Sequence, residues 1–231
     1  MTGTVTRNRT RLAGLALLAL GTLSGCGGLH PGVAAEAGDL SITDTQVDSL
    51  ARDVCTALKS DPRLLGDGFP RSKILQSVVQ SFVMRSIADE MGEQYGVSAT
   101  PSYDKAVEQT KLQFTALDPK VRDNVLDTWL GTNYFVDVLG AIGMQELRLA
   151  GAAKPTSDEA VAKGIELAQV WEADNGVTID PRFPDITLAD TQFTQTIDET
   201  SYAVSDFAKQ ASAATPDAAW IAKLPASQRC G

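Results

Sequence analysis

Histidine is almost missing from this chain. One His occurs in the whole sequence, at position 30, inside a glycine-rich run ahead of the first patterned segment. Ser-His-Asp and Cys-His catalysis need an imidazole base beside the nucleophile, so the body of the chain supports neither. Histidine-ligated zinc is excluded for the same reason. Cysteine is nearly as scarce, with three residues at Cys26, Cys55 and Cys230. Positive charge is also in short supply: 20 Lys and Arg stand against 29 Asp and Glu, a formal charge of −9. Such a surface repels phosphate backbones and releases no counterions from them, which argues against nucleic acid as a partner. Adhesion to anionic lipid is disfavoured on the same ground. No apolar run reaches the ~20 residues that a bilayer-crossing helix needs. The run from Leu12 to Leu20 is about half that length and contains Gly14.

What is present begins at the N-terminus. Arg7, Arg9 and Arg11 precede that apolar run, and Leu23-Ser24-Gly25-Cys26 follows it. Charged, apolar and small-residue zones in this order form a secretory signal. A Cys directly after Leu-Ser-Gly resembles a bacterial lipobox. The resemblance implies cleavage before Cys26 and attachment of palmitate-type acyl chains to it. Residues 1–25 are then the signal peptide, and 26–32 a glycine-rich tether carrying His30. More than one acyl chain is expected on such a Cys, which suits stable anchoring, since a single chain binds only marginally. An uncleaved N-terminal anchor is the alternative. Either way the expected location is the cell membrane, with the body on the extracytoplasmic face. Loss of the leader removes three Arg and no acid, so the mature chain is more acidic still.

Two thiols remain. In an oxidising compartment Cys55 and Cys230 suggest a bridge, closing a loop of roughly 175 residues. The alternative for Cys55 is a buried free thiol, because it falls on the helical face of Ala51 and Leu58.

The body, 33–231, reads as one mostly helical domain with a C-terminal extension. Val33 to Ile42 forms a short extended element around a Gly38-Asp39 turn. Thr43-Asp44-Thr45-Gln46 is a capping box, with Ile42 and Val47 placed as a hydrophobic staple. That helix runs to about Leu58 and stops at Ser60-Asp61-Pro62. Pro70 opens the next helix, where Ile74, Leu75, Val78, Val79, Phe82, Val83, Ile87 and Met91 form one apolar stripe. Gly96 ends it. Thr100-Pro101 and Asp118-Pro119 each read as N-cap then first helical residue. Val121, Val125, Leu126, Trp129 and Leu130 mark the buried face of the helix after Pro119. Gly131 bends or breaks the pattern, which resumes to about Leu149. Thr156-Ser157-Asp158-Glu159 is a second capping box, and Asn175-Gly176 ends its helix. Val177–Ile179 is a short strand. Residues 184–204 read as polar and irregular, with Tyr202–Val204 extended, and a last helix spans Thr215-Pro216 to Lys223.

The segment from Val33 to about Phe114 resembles the N-terminal chaperone domain of SurA-type proteins. Three features carry the resemblance: Ala35–Asp39 leading into Ile42-Thr43 and Val47-Asp48, the long helix from Ile74-Leu75 to Tyr95-Gly96-Val97, and the helix start at Ser98–Pro101. Val177–Phe183 is similar to a tail that follows such domains in lipoproteins. The resemblance implies binding of unfolded or nascent polypeptides outside the cytoplasm. Many members also carry a parvulin prolyl isomerase domain with paired His, and this chain has no match to it.

Three functional readings follow. The first is a chaperone-like lipoprotein with unfolded or secreted polypeptides as partners. The second is a scaffold or assembly lipoprotein with one defined partner. The third is an enzyme, isomerase-related or built on acid pairs. Asp89-Glu90 and Asp158-Glu159 are adjacent on helices and point apart, so solvated faces explain them better. Asp180 and Asp185 flank Pro181-Arg182-Phe183-Pro184, where turn chemistry and a partner for Arg182 are the plain explanation. Trp129, Trp171 and Trp220 read as core. No catalytic residue, metal site or cofactor is expected.

Overall fold

The computed structural model describes residues 31–183, 185–189, 192–196, 204–213 and 215–231, with backbone only for 185–189, 192–196 and Ser212. Cys26, His30, the signal peptide and most of the tether lie outside the described residues, as do Tyr202 and Ala203. Strand β1 (Val33–Ala37) turns through Gly38-Asp39 into β2 (Leu40–Thr43), pairing Ala35 with Ile42 and Ala37 with Leu40. Gly38 has φ 56°, and a Cβ on it would lie 2.3 Å from the Glu90 carboxylate. The neighbouring Asp39 N–H donates to Glu90 Oε1 at 2.9 Å. A left-handed turn pressed against another chain segment requires glycine.

Helix α1 (Asp44–Ser60) starts where the sequence predicts: Thr43 and Gln46 exchange both capping-box hydrogen bonds, and Ile42 and Val47 are buried together. One short turn of helix not expected from the sequence, α2 (Pro62–Leu65), follows, with Asp61 as its cap. Strand β3 (Phe69–Pro70) leads into α3 (Arg71–Tyr95), which ends on left-handed Gly96. The expected stripe on α3 is buried or partly buried, but Ser81, Met84, Ser86, Ala88 and Gly92 are buried as well. Helices and strands pack around α3 on most of its circumference, so it is the axis of the fold rather than an amphipathic surface helix.

Helix α4 (Pro101–Lys111) and a 3-10 turn at Leu112–Phe114 lead to α5 (Pro119–Trp129) and α6 (Gly131–Leu149). Gly131 breaks the pattern because it abuts buried Ser81: a Cβ there would lie 1.9 Å from the Ser81 hydroxyl. Helix α7 (Ser157–Asn175) begins at the Thr156–Glu159 capping box and packs along α6. Cβ atoms on Gly143 and Gly164 would lie 1.9 Å and 2.1 Å from the backbone oxygens of Ala160 and Leu139. The two helix backbones are therefore in contact at this seam.

After α7, β4 (Val177–Ile179) returns to the free edge of β1, giving an antiparallel sheet in the order β2-β1-β4. Ala34, Ala35 and Ala37 of the central strand β1 are fully buried. The region expected to be irregular instead contains a hairpin, β5 (Asp185–Ala189) with β6 (Gln192–Thr196). Its Thr- and Gln-rich alternation, Ile186-Thr187-Leu188 and Phe193-Thr194, has the period-two signature of strands at low hydropathy. Helix α8 (Asp206–Ser212) precedes α9 (Ala218–Lys223). The last helix starts at Ala218 rather than at Thr215-Pro216, because Asp217 caps it by accepting from Trp220 N–H at 3.1 Å. Finally β7 (Arg229–Cys230) pairs with β3, setting Phe69 opposite Cys230. Cys55 and Cys230 are disulfide-bonded, with Cα atoms 5.6 Å apart. The chain is thus mostly helical with a small sheet.

Candidate functional site

A cleft of about 740 Å³ opens between the C-terminal half of α1, α2, the Gly66–Gly68 loop, β3, the first turns of α3, the α5–α6 junction and the segment around α9. Its apolar lining comes from Val54, Leu58, Leu64, Leu65, Ile74 and Ile221, with Phe69 and Trp129 also contributing. The volume falls within the range of sites that enclose small molecules or side chains. Local structure explains how these residues meet. Val54 and Leu58 are one helical turn apart on α1. Ile74, Ser77 and Ser81 share one face of α3. Asp61 ends α1 and caps α2, and the two helices are in contact beside the cleft.

Trp129 corrects the expectation of core packing. It is 42% exposed, whereas Trp171 and Trp220 are buried. Helix α5 ends at Trp129, and Leu130 takes the buried position beyond it. The indole stands edge-on to Phe114, with centroids 6.0 Å apart, and its remaining surface lines the cleft. Phe69 is 38% exposed. Two aromatic rings therefore remain partly in water at the site.

The polar wall has a definite character. Ser77 Oγ donates to the Lys73 carbonyl at 2.9 Å, Ser81 Oγ to the Asp127 carbonyl at 3.0 Å, and Thr128 Oγ1 to the Asn124 carbonyl at 3.0 Å. Thr132 Oγ1 donates to Met84 Sδ at 3.3 Å. Each hydroxyl has one proton and two lone pairs. With the protons turned back into the protein, these groups offer acceptors. Lys73 lines the same cleft and makes no ion pair among the described residues, while Asp67 stands on the loop opposite.

The acid pairs singled out from the sequence have structural partners. Asp89 accepts from the Tyr134 hydroxyl at 2.5 Å, and Arg85 stacks 4.4 Å from the centre of the Tyr134 ring. Burial first, and the Asp89 bond second, push the Tyr134 phenol well above the ordinary tyrosine range, so it stays protonated. Glu90 holds the β1–β2 turn. Glu159 closes its capping box, and the Thr156 backbone N–H lowers its pKa. Arg182 bridges Asp180 and Asp44 at 2.9 and 2.8 Å, and its hydrogen bonds hold the Asp180 carboxyl below the usual range. Turn chemistry and an ion pair therefore account for Asp180. Of the expected site residues, Cys55 and Cys230 adjoin the cleft, whereas Cys26 lies outside the described residues. Phe69, Lys73, Thr128 and Thr132 carried no signal in the sequence.

Fold and site together define a disulfide-closed helical domain with an apolar cleft whose polar lining includes hydroxyls that donate to acceptors within the protein. No family model, no curated protein and no solved structure matches this chain. Among the described residues no helix is long and apolar enough to cross a membrane.

Proposed function

We propose that this chain is a lipoprotein anchored through Cys26 on the extracytoplasmic face of the cell membrane, and that it binds unfolded or nascent polypeptides in the cleft. The observation that carries the reading is the pairing of an apolar base and partly wetted aromatic rings with hydroxyl acceptors. Unfolded polypeptide exposes apolar side chains together with backbone N–H donors, and this lining is complementary to both. The Cys55–Cys230 bridge supports an oxidising location. The resemblance of 33–114 to SurA-type N-terminal domains points the same way, toward the chaperone-like module without an isomerase.

The second reading, one dedicated partner, is favoured by the confinement of the cleft between so many elements. A cleft shaped by several elements selects among clients more than a flat apolar patch does. The test is suppression of aggregation of a reduced, unfolding client by the full chain and by a Trp129→Ser variant. The proposal expects suppression by the parent chain and less by the variant. No suppression at several-fold excess transfers the case to the dedicated-partner reading, which crosslinked pull-down from intact cells then examines.

A further inference from the structure

One wall of the cleft is built differently from the rest. Thr215, Pro216, Ala218 and Ile221 line it from the C-terminal strap, which comprises α8, α9 and β7. Trp220, Ile221 and Leu224 form a small cluster of their own, separate from the main core. Of the strap's residues, Cys230 is the one that joins that core. The pairing of β7 with β3 is two residues long. Behind the strap a second space of about 320 Å³ separates Phe207, Trp220 and Leu224 from Pro70 and Leu75 of the body. The Trp220 Nε1–H is buried there without a hydrogen-bond partner among the described residues. The strap thus has a cavity on each side, little apolar contact with the body, and a covalent bond at its far end.

We infer that the disulfide is a latch: Cys55–Cys230 holds the strap as a wall of the cleft, and the cleft binds clients only in the oxidised protein. This rests on the proposed polypeptide-binding role of that cleft and adds its regulation. Closure is a thiol–disulfide exchange. The two thiols of Cys55 and Cys230 lose two electrons and two protons to the disulfide of a donor oxidoreductase, whose own sulfurs leave as two thiols. Opening by a dithiol is the reverse, with the dithiol becoming the disulfide. A chain still in a reducing compartment therefore has no complete cleft. Oxidation after export makes it competent, which keeps it from holding clients before it reaches the membrane.

The experiment uses the full chain in three forms: oxidised, reduced with dithiothreitol, and as the Cys55→Ser/Cys230→Ser double variant. The probe is dye-labelled α-lactalbumin, reduced and carboxymethylated so that it stays unfolded and carries no thiol. Fluorescence anisotropy reads binding, circular dichroism reads the helical body, and hydrogen exchange reads the strap. The expected result is binding by the oxidised form, about tenfold or more weaker in the other two because the Ile221 wall is lost. Helicity should be retained, and exchange should become fast in α9. Equal binding by all three forms, or an α9 that stays protected after reduction, overturns the latch and leaves the polypeptide reading standing. Melting of the whole body on reduction also overturns it, since the bridge is then a global staple. Binding by none of the forms, with α9 exchange responding as expected, overturns the polypeptide reading, and client control with it.

Discussion

Replacing Gly143 by alanine should destabilise this protein, against the direction that helix propensity gives. In the interior of an exposed helix the change is favourable by about 1 kcal/mol, because glycine loses more backbone entropy on folding. Here the added methyl would sit 1.9 Å from the Ala160 carbonyl oxygen and 2.7 Å from the Gly164 nitrogen. Ordinary contact begins near 3.4 Å, and both neighbours are backbone, so neither can swing aside. Relief requires α6 and α7 to separate by about 1 Å or more along the most extensive helix pairing in the molecule. Overpacking of this kind costs about 1–3 kcal/mol, and more where backbone must move. Both clashing neighbours are backbone, so the upper part of that range applies; subtracting the propensity gain from about 2–3 kcal/mol leaves a loss of about 1–2 kcal/mol, or roughly 2–8 °C in Tm for a domain of this size. Gly140→Ala is the internal control. Its methyl would meet only Val161 Cγ2, at 3.2 Å. A small shift of that side chain suffices, so propensity and crowding nearly cancel. Thermal unfolding followed by circular dichroism compares the two. A Gly143→Ala protein as stable as the parent, or more so, would refute the close α6–α7 seam.

Other consequences are as specific. Thr156→Ala removes the acceptor for Glu159 N–H and the cap of α7, and should cost about 1 kcal/mol in the same unfolding assay. Burial raises the pKa of Glu172 above the ordinary glutamate range, so ionisation opposes folding, and stability falls as pH rises from the unfolded value through the raised folded one. Glu172→Gln should therefore stabilise at neutral pH and flatten that slope, read by denaturant midpoints across the range; an unchanged slope contradicts it. Cys26→Ser should abolish incorporation of a palmitate analogue and release the protein from the membrane fraction, and continued labelling would place the acyl chain elsewhere.

Legibility of the sequence divides by range of interaction. Thr43–Gln46, Thr100-Pro101, Asp118-Pro119, Thr156–Glu159 and Gly96 all mark helix ends as expected, because caps are satisfied within one turn. The strands Val33–Ala37 and Val177–Ile179 were also readable, but not that they pair, since nothing local joins them. The all-round burial of α3 was hidden by Ser81 and Ser86, polar residues small enough to enter the core; the Ser81 hydroxyl is satisfied there by the Asp127 carbonyl. Trp129 carried a core pattern, yet the end of α5 left its ring partly in water. The cleft was not legible, because it is assembled from separated segments and one wall depends on a bridge spanning 175 residues. The thiol pair itself was legible from the scarcity of cysteine and the oxidising compartment that the leader led one to expect.

The central claim is that polypeptide enters this cleft, and photo-crosslinking tests it most directly. A benzophenone amino acid is placed at Trp129, which lines the cleft, and separately at Leu149, which is 75% exposed at the far end of α6. With carboxymethylated α-lactalbumin present, irradiation should give an adduct from position 129 and little from 149. Equal adducts from both positions, or an adduct from 149 alone, would contradict the account.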